Sequence, residues 1–226
     1  MVTYQKPNKN SSGLFLIGIT GTMGCGKSTV TKLFADRGAH FLDADKLARE
    51  VVQPGQDGWH EVVDYFGKDV LITEQDGKTI PFEQRPLNRK KLGELIFNNP
   101  TKRKVLENII HPKIAIIKAG ILKQWADELQ EGEHKLVVME VPLLFEAGLD
   151  KECDLTLAVV CGEQQWQRLS ERKNMSAAIK KSAIAQQLPE AEKKNRADRV
   201  IDNGGTLADT AIQVEQLRAE IEQKFF

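Results

Sequence analysis

From residue 14 onward, short apolar runs alternate with stretches in which apolar residues recur every three or four positions. Leu14-Phe15-Leu16-Ile17-Gly18-Ile19-Thr20 is nearly continuous and stops at a glycine-rich turn, the pattern of a strand buried on both faces. Val30, Leu33 and Phe34 then follow at helical spacing, with Gly38 placed to end the helix. Residues 39–42 form a second brief run ending in Asp43-Ala44-Asp45, residues 135–141 and 155–161 predict longer strands, and Val200-Ile201 predicts a weaker fifth. Helical patterns separate these runs, so the chain reads as an α/β fold with a parallel five-stranded sheet and right-handed crossovers.

The segment from 55 to 130 is too long for a crossover and carries its own helical periodicity, which predicts an inserted substrate-side domain. Within it, Asp76-Gly77 marks a tight turn, Leu92, Leu95 and Ile96 share a helical face, and a long helix is expected over 109–125, beginning near His111-Pro112. Residues 163–197 read as a helical lid broken at Leu188-Pro189. Thr206 is placed to cap a last helix with an apolar stripe of Leu207, Ala211, Val214, Leu217 and Ile221. The expected organisation is therefore a disordered extension (1–13), a core (14–54, 131–162 and 198–226), an insertion (55–130) and a lid (163–197).

Composition narrows the function classes. Lys+Arg and Asp+Glu both total 32, so no global field draws the chain to nucleic acid or an anionic membrane, and any anion site must be local. The three cysteines, Cys25, Cys153 and Cys161, show neither a CxxC nor a zinc-like spacing, which points to a reducing, cytoplasmic compartment. Residues 1–13 are polar where a secretory signal needs an apolar centre, and no run reaches the roughly 20 apolar residues of a membrane span. No obligate protein partner is implied.

The chemistry begins at Gly21-Thr22-Met23-Gly24-Cys25-Gly26-Lys27-Ser28, a G-x-x-x-x-G-K-S match lying directly after a strand and before a helix. Glycines let backbone N–H groups approach phosphate oxygens at the positive end of a helix. Gly24, Cys25, Gly26, Lys27, Ser28 and Thr29 are thus expected to cradle ATP, with Lys27 reaching the β- and γ-phosphates and the Ser28 hydroxyl on Mg2+. Asp43 and Asp45 sit at a strand's carboxyl end, where open parallel sheets bind ligands. Either could take the proton of an attacking hydroxyl, and either could cap the following helix.

Basic residues dominate two segments. Between Arg85 and Lys123 they suit a substrate with its own phosphates or simply a solvated helix face, and Arg103 and His111 would share a side if the chain stayed helical between them. Arg168 and Arg172, four apart on a helix after a strand, have the spacing of a lid pair that neutralises a transferring phosphoryl group. Glu140, ending the third strand, could contact Mg2+ through water, and the turn containing Pro142 and Leu143 could meet an adenine or pantetheine arm. Asp202-Asn203-Gly204-Gly205 reads as a turn whose backbone could meet an adenine edge.

Together these segments resemble the dephospho-CoA kinase family. The likeness is carried by Gly18-Ile19-Thr20-Gly21 with the phosphate loop, Asp43-Ala44-Asp45 with Arg49, Ile109-Ile110-His111-Pro112, Val141-Pro142-Leu143-Leu144-Phe145-Glu146, and Ala197-Asp198-Arg199-Val200-Ile201-Asp202-Asn203. The resemblance implies a nucleoside-monophosphate-kinase-like core, with ATP and dephospho-CoA as substrates and phosphoryl transfer to the ribose 3′-hydroxyl. It also implies Asp45 as the base, with Asp43, Arg49, Arg103, His111, Pro142 and Leu143 on the acceptor. Two alternatives stay open on the residues alone. One is a kinase with another small acceptor, and the other is a nucleotide switch, although the Asn-Lys-x-Asp element of guanine-nucleotide switches is absent. Cys25 stands among loop amides beside Lys27, which predicts a thiol pKa below the roughly 8.5 of free cysteine and hence a reactive sulfur.

Overall fold

The computed structural model describes residues 13–97, 99–171, 180 and 184–226. Five parallel strands form the main sheet: β1 (Leu14–Thr20), β2 (His40–Asp43), β5 (Lys135–Glu140), β6 (Leu155–Val160) and β7 (Arg199–Asp202), in the order β2-β5-β1-β6-β7. Every residue of β1 and of β6 is buried, the signature of strands covered on both faces. β1 is central, as its continuous apolar run predicts. Gly13 lies just before it and accepts a backbone hydrogen bond from Lys135 (2.9 Å).

Two compact units emerge. The first comprises the described part of Met1–Asp43 together with Trp125–Phe226. It contains the sheet, α1 (Lys27–Ala35), α6 (Gln164–Glu171), α7 (Glu190–Arg196) and α8 (Leu207–Phe225). Its core joins Ile17, Ile19, Val30, Phe34, Val138, Leu157, Ile201, Val214 and Ile221. Phe34 is fully buried, so truncation to alanine would cost about 3–5 kcal/mol from lost transfer energy and the cavity left behind.

The second unit, Ala44–Gln124, takes in most of the expected insertion and also α2 (Ala44–Glu50). It holds α3 (Asp57–Phe66), the two-residue strands β3 (Glu74–Gln75) and β4 (Lys78–Thr79), and α4 (Arg89–Phe97). Asp76 and Gly77 both have positive φ (52° and 73°), the primed turn that the right-handed twist of a two-residue hairpin favours. Trp59, fully buried, anchors this unit's core with Val62, Val70, Leu92 and Ile109, and its indole N–H donates to the Arg85 carbonyl at 2.8 Å.

One helix departs from expectation. α5 runs from Pro100 to Asp127, so His111-Pro112 lies inside it and does not begin it. Pro112 removes one N–H from the ladder, yet Pro112 and Asn108, four residues earlier, are both exposed, so water can satisfy the freed carbonyl. Helix α8 starts as expected: the Thr206 hydroxyl accepts from Asp209 N and the Asp209 carboxylate accepts from Thr206 N. Its buried face is Thr210, Val214, Leu217 and Ile221, whereas Leu207 is exposed. Within 163–197, the segment expected to be a lid, lie α6, α7 and a break at Leu188-Pro189, while Arg172 and most residues up to 183 lie outside the described set.

Candidate active site

β1 ends at Thr20 and α1 begins at Lys27, so the six residues between them form a loop at the carboxyl edge of the central strand. Gly21 and Gly26 are required there. Both have positive φ (153° and 81°), and a Cβ would overlap the Val159 carbonyl at the first and Asn203 Nδ2 at the second. No side chain caps the first turn of α1, which leaves backbone N–H groups for an anion. The Lys27 ammonium is buried against the Gly21 and Thr22 carbonyls (3.1 and 3.4 Å), which fixes positive charge within the loop.

Gly24, Gly26, Ser28 and Thr29 line a cavity of about 280 Å3 with Arg168, Asn203, Gly205 and Leu207. The loop residues predicted to hold nucleotide and the arginine predicted from the lid are therefore brought together. Arg168 is aimed by its bond from Nη2 to the Asn203 carbonyl (2.8 Å).

Several supports of this loop were not read from the sequence. The Asn203 side chain is buried, donates to the Cys25 carbonyl (2.8 Å) and accepts from the Thr210 hydroxyl (2.9 Å), tying the loop to β7 and α8. Met23 is held at both ends of its backbone: its N–H donates to Gln187 Oε1 (2.8 Å), and its carbonyl accepts from Gln165 Nε2 (2.9 Å). Lys193, fully buried, donates to Glu146 (2.8 Å), the Pro142 carbonyl (2.8 Å) and the Thr20 hydroxyl (3.3 Å). Burial raises the Glu146 pKa, but the Lys193 ammonium and the Leu188 N–H outweigh it and hold the carboxyl below its usual range. The sequence marked Asn203 through the turn after the last strand and the family-like segment that ends there, but gave its side chain no role in holding the loop. Gln165 and Lys193 sit in polar helices and Gln187 in the bend before Leu188-Pro189, and none of the three carries a local mark of this role.

Cys25 corrects the sequence reading. Its sulfur is fully buried, contacts Thr22 Oγ1 (3.0 Å), Glu190 Oε2 (3.1 Å) and the Cys161 sulfur (2.6 Å), and desolvation pushes its pKa far up, not down. Removing the sulfur from water disfavours the charge most, the Cys161 and Glu190 contacts add to that effect, and the Thr22 hydroxyl opposes it without overcoming it.

Asp43 and Glu140 end neighbouring strands and are paired in register, so two carboxylates stand side by side at the carboxyl edge of the sheet. The Thr31 hydroxyl donates to Glu140 (3.4 Å). Pro142 and the exposed Leu143 follow in the turn after β5.

In the second unit, Asp45 and Arg49 are exposed on α2 and line a cavity of about 380 Å3 with Arg89 and an apolar wall of Val52, Leu87, Leu92, Leu106 and Ile110. Arg103 and His111 do share one continuous helix, but neither lines this cavity. The Arg103 guanidinium turns back to the Phe97 carbonyl (3.2 Å), and His111 is exposed.

Comparison with known proteins identifies the family. The family model described as dephospho-CoA kinase matches residues 15–209. A dephospho-CoA kinase of Listeria innocua is 40% identical over 199 residues, 88% of this chain and 92% of that protein. One from Arabidopsis thaliana is 36% identical over 208 residues, 91% of this chain and 83% of that protein. The solved structure of TT1252 from Thermus thermophilus superposes with a TM-score of 0.70 at 31% identity, covering 92% of this chain and 97% of that one. With a match spanning the phosphate loop, the insertion and the last strand, this chain belongs to the dephospho-CoA kinase family.

Proposed function

We propose that this chain transfers the γ-phosphoryl group of ATP to the ribose 3′-hydroxyl of dephospho-CoA, yielding CoA and ADP. The observation that carries this reading is the family match over residues 15–209, which includes the Gly24–Thr29 nucleotide segment and Asp45 together. The loop N–H groups and Lys27 bind the phosphates, and Arg168 offsets charge on the transferring group, with Arg172 assigned the same task by its i+4 spacing. Asp45 accepts the proton of the attacking hydroxyl. It is exposed in the first turn of α2 and lines the cavity proposed for the acceptor, which lets a bound hydroxyl come within hydrogen-bond reach.

The acceptor is proposed to meet Asp43, Arg49, Arg103, His111, Pro142 and Leu143. The cavity beside Asp45 and Arg49 combines two arginines with an apolar wall, a surface that suits a phosphate-bearing molecule with an uncharged arm. Mg2+ fits the donor set: the Ser28 hydroxyl on the nucleotide cavity and the paired carboxylates at the sheet edge are hard oxygen ligands. Ser28 would hold the ion directly and Glu140 through water, and the ion when bound supplies charge neutralisation to the phosphates. The reaction is assigned to the cytoplasm. Three free thiols suit that compartment, and no helix among the described residues is long and apolar enough to cross a membrane.

The test is ADP release in a coupled assay with and without dephospho-CoA. Turnover that depends on this acceptor, and not on a nucleoside monophosphate, shikimate or gluconate, is the expected result. Acceptor-independent hydrolysis would return the chain to the switch reading.

A further inference from the structure

The Cys25 and Cys161 sulfurs are buried and lie 2.6 Å apart, and the proposed transfer chemistry uses the loop N–H groups but neither sulfur. A disulfide needs about 2.05 Å, a closure of roughly 0.5 Å. Two thiolates on a tetrahedral zinc ion, each about 2.3 Å from the metal, would stand roughly 3.8 Å apart, so a metal would have to push this pair open by more than an ångström. Glu190, the third member of the cluster, accepts from the Cys161 and Gly162 N–H groups (2.9 and 3.2 Å) as well as from the Cys25 thiol, which leaves little of the carboxylate for an ion.

We propose that Cys25 and Cys161 form an oxidation site at which a hydroperoxide joins the two sulfurs, strapping the phosphate loop to the end of β6. Cys25 gives its proton to Glu190 Oε2, 3.1 Å away, and its sulfur attacks a peroxide oxygen. The O–O bond breaks, the leaving hydroxide takes up that proton as water, and Cys25 becomes a sulfenic acid, oxidised by two electrons. The Cys161 sulfur then attacks Cys25, the S–O bond breaks, and the departing hydroxide leaves with the Cys161 proton as a second water. Two thiols and one hydrogen peroxide thus give one disulfide and two waters.

Burial shapes the selectivity. Both sulfurs are almost wholly shielded, and burial pushes both thiols up in pKa, so a small uncharged oxidant is favoured and the reaction runs more slowly than at a free cysteine. Glutathione disulfide is too large for this route. Closing the pair also removes the proton that Cys25 donates to Glu190 and draws its sulfur toward Cys161, so the nucleotide loop loses its resting geometry.

The experiment treats the reduced full chain with hydrogen peroxide and maps peptides without reduction. Expected are a loss of two hydrogens, one peptide joining Cys25 to Cys161, retention of that product in Cys153→Ser, and its loss in Cys161→Ser. ATP turnover should fall in proportion to the cross-linked fraction and recover with dithiothreitol. Free thiols at both positions after treatment, a Cys25 sulfinic acid without the cross-link, or full turnover in cross-linked protein would each overturn the proposal. So would stoichiometric zinc retention by the reduced chain that shields both thiols, which would make the cluster a metal site. Because mass reports the cross-link without turnover, a failed acceptor assignment would leave this result standing.

Discussion

At the scale of single residues, the phosphate loop combines groups that act on phosphate with groups that hold it in shape. Lys27 belongs to the first class, since its ammonium is held within the loop by the Gly21 and Thr22 carbonyls. Lys27→Ala should lower kcat by at least the ~10²–10³ typical of losing one preorganised charge-stabilising donor, with an unchanged far-ultraviolet circular dichroism spectrum. Near-normal kcat would remove this loop from the chemistry. The two aspartates divide differently. Asp45→Asn should reduce kcat by about 10²–10⁴, the range of a lost general base, while leaving the KM for ATP close to its original value. Asp43, paired in register with Glu140 at the sheet edge, should show the smaller kcat effect on conversion to asparagine. If Asp43→Asn proves the more damaging change, the roles are reversed.

At the scale of elements, helix α8 is bound to the sheet at both ends of its length. Thr210 bonds Asn203 near its start, and toward its end Glu220 receives Arg199 of β7 and Lys224 of its own next turn. Arg199 first, then Lys224, depress the Glu220 pKa from 4.5 to about 2. The folded chain therefore binds this proton more weakly than the unfolded chain. The resulting stability is complete above 4.5 and is lost as pH falls through about 2. Glu220→Gln should lower stability at neutral pH by less than about 1 kcal/mol, because the pair is partly exposed and screened, and the gap from the parent should narrow toward about pH 3. Urea unfolding midpoints at the two pH values measure this. A gap that is constant with pH would mean that Glu220 acts through packing and not through charge. Helix periodicity foretold where α8 lies and how Thr206 caps it, but it placed Leu207 inside and left Thr210 out. The stripe drifts because Thr210 finds a buried partner in Asn203, which no local pattern announces.

At the scale of the whole molecule, the formal net charge is zero at pH 7, with 32 basic and 32 acidic side chains. Self-repulsion is then at its weakest near neutrality, so light scattering at low salt should be maximal close to pH 7 and fall on either side. A scattering maximum more than about one pH unit away would show that charge distribution outweighs net charge.

The fold class, the five strands and their parallel arrangement, and the nucleotide loop were all legible in the chain, because each depends on neighbouring residues. A buried strand must be apolar along its own length, a helix must repeat its own stripe, and a phosphate loop carries its glycines and lysine contiguously. What holds that loop was decided only by tertiary structure. Asn203 and Lys193 reach Cys25 and Thr20 from more than 170 positions away. The same is true of the sign of the Cys25 shift. Its neighbours in sequence favour a thiolate, but desolvation depends on everything packed around the sulfur, and that packing brings Cys161 and Glu190 to it from the far side of the sheet sequence. Local pattern fixes which residues must be buried, whereas the cost of burying a polar group is set by the partners that folding supplies.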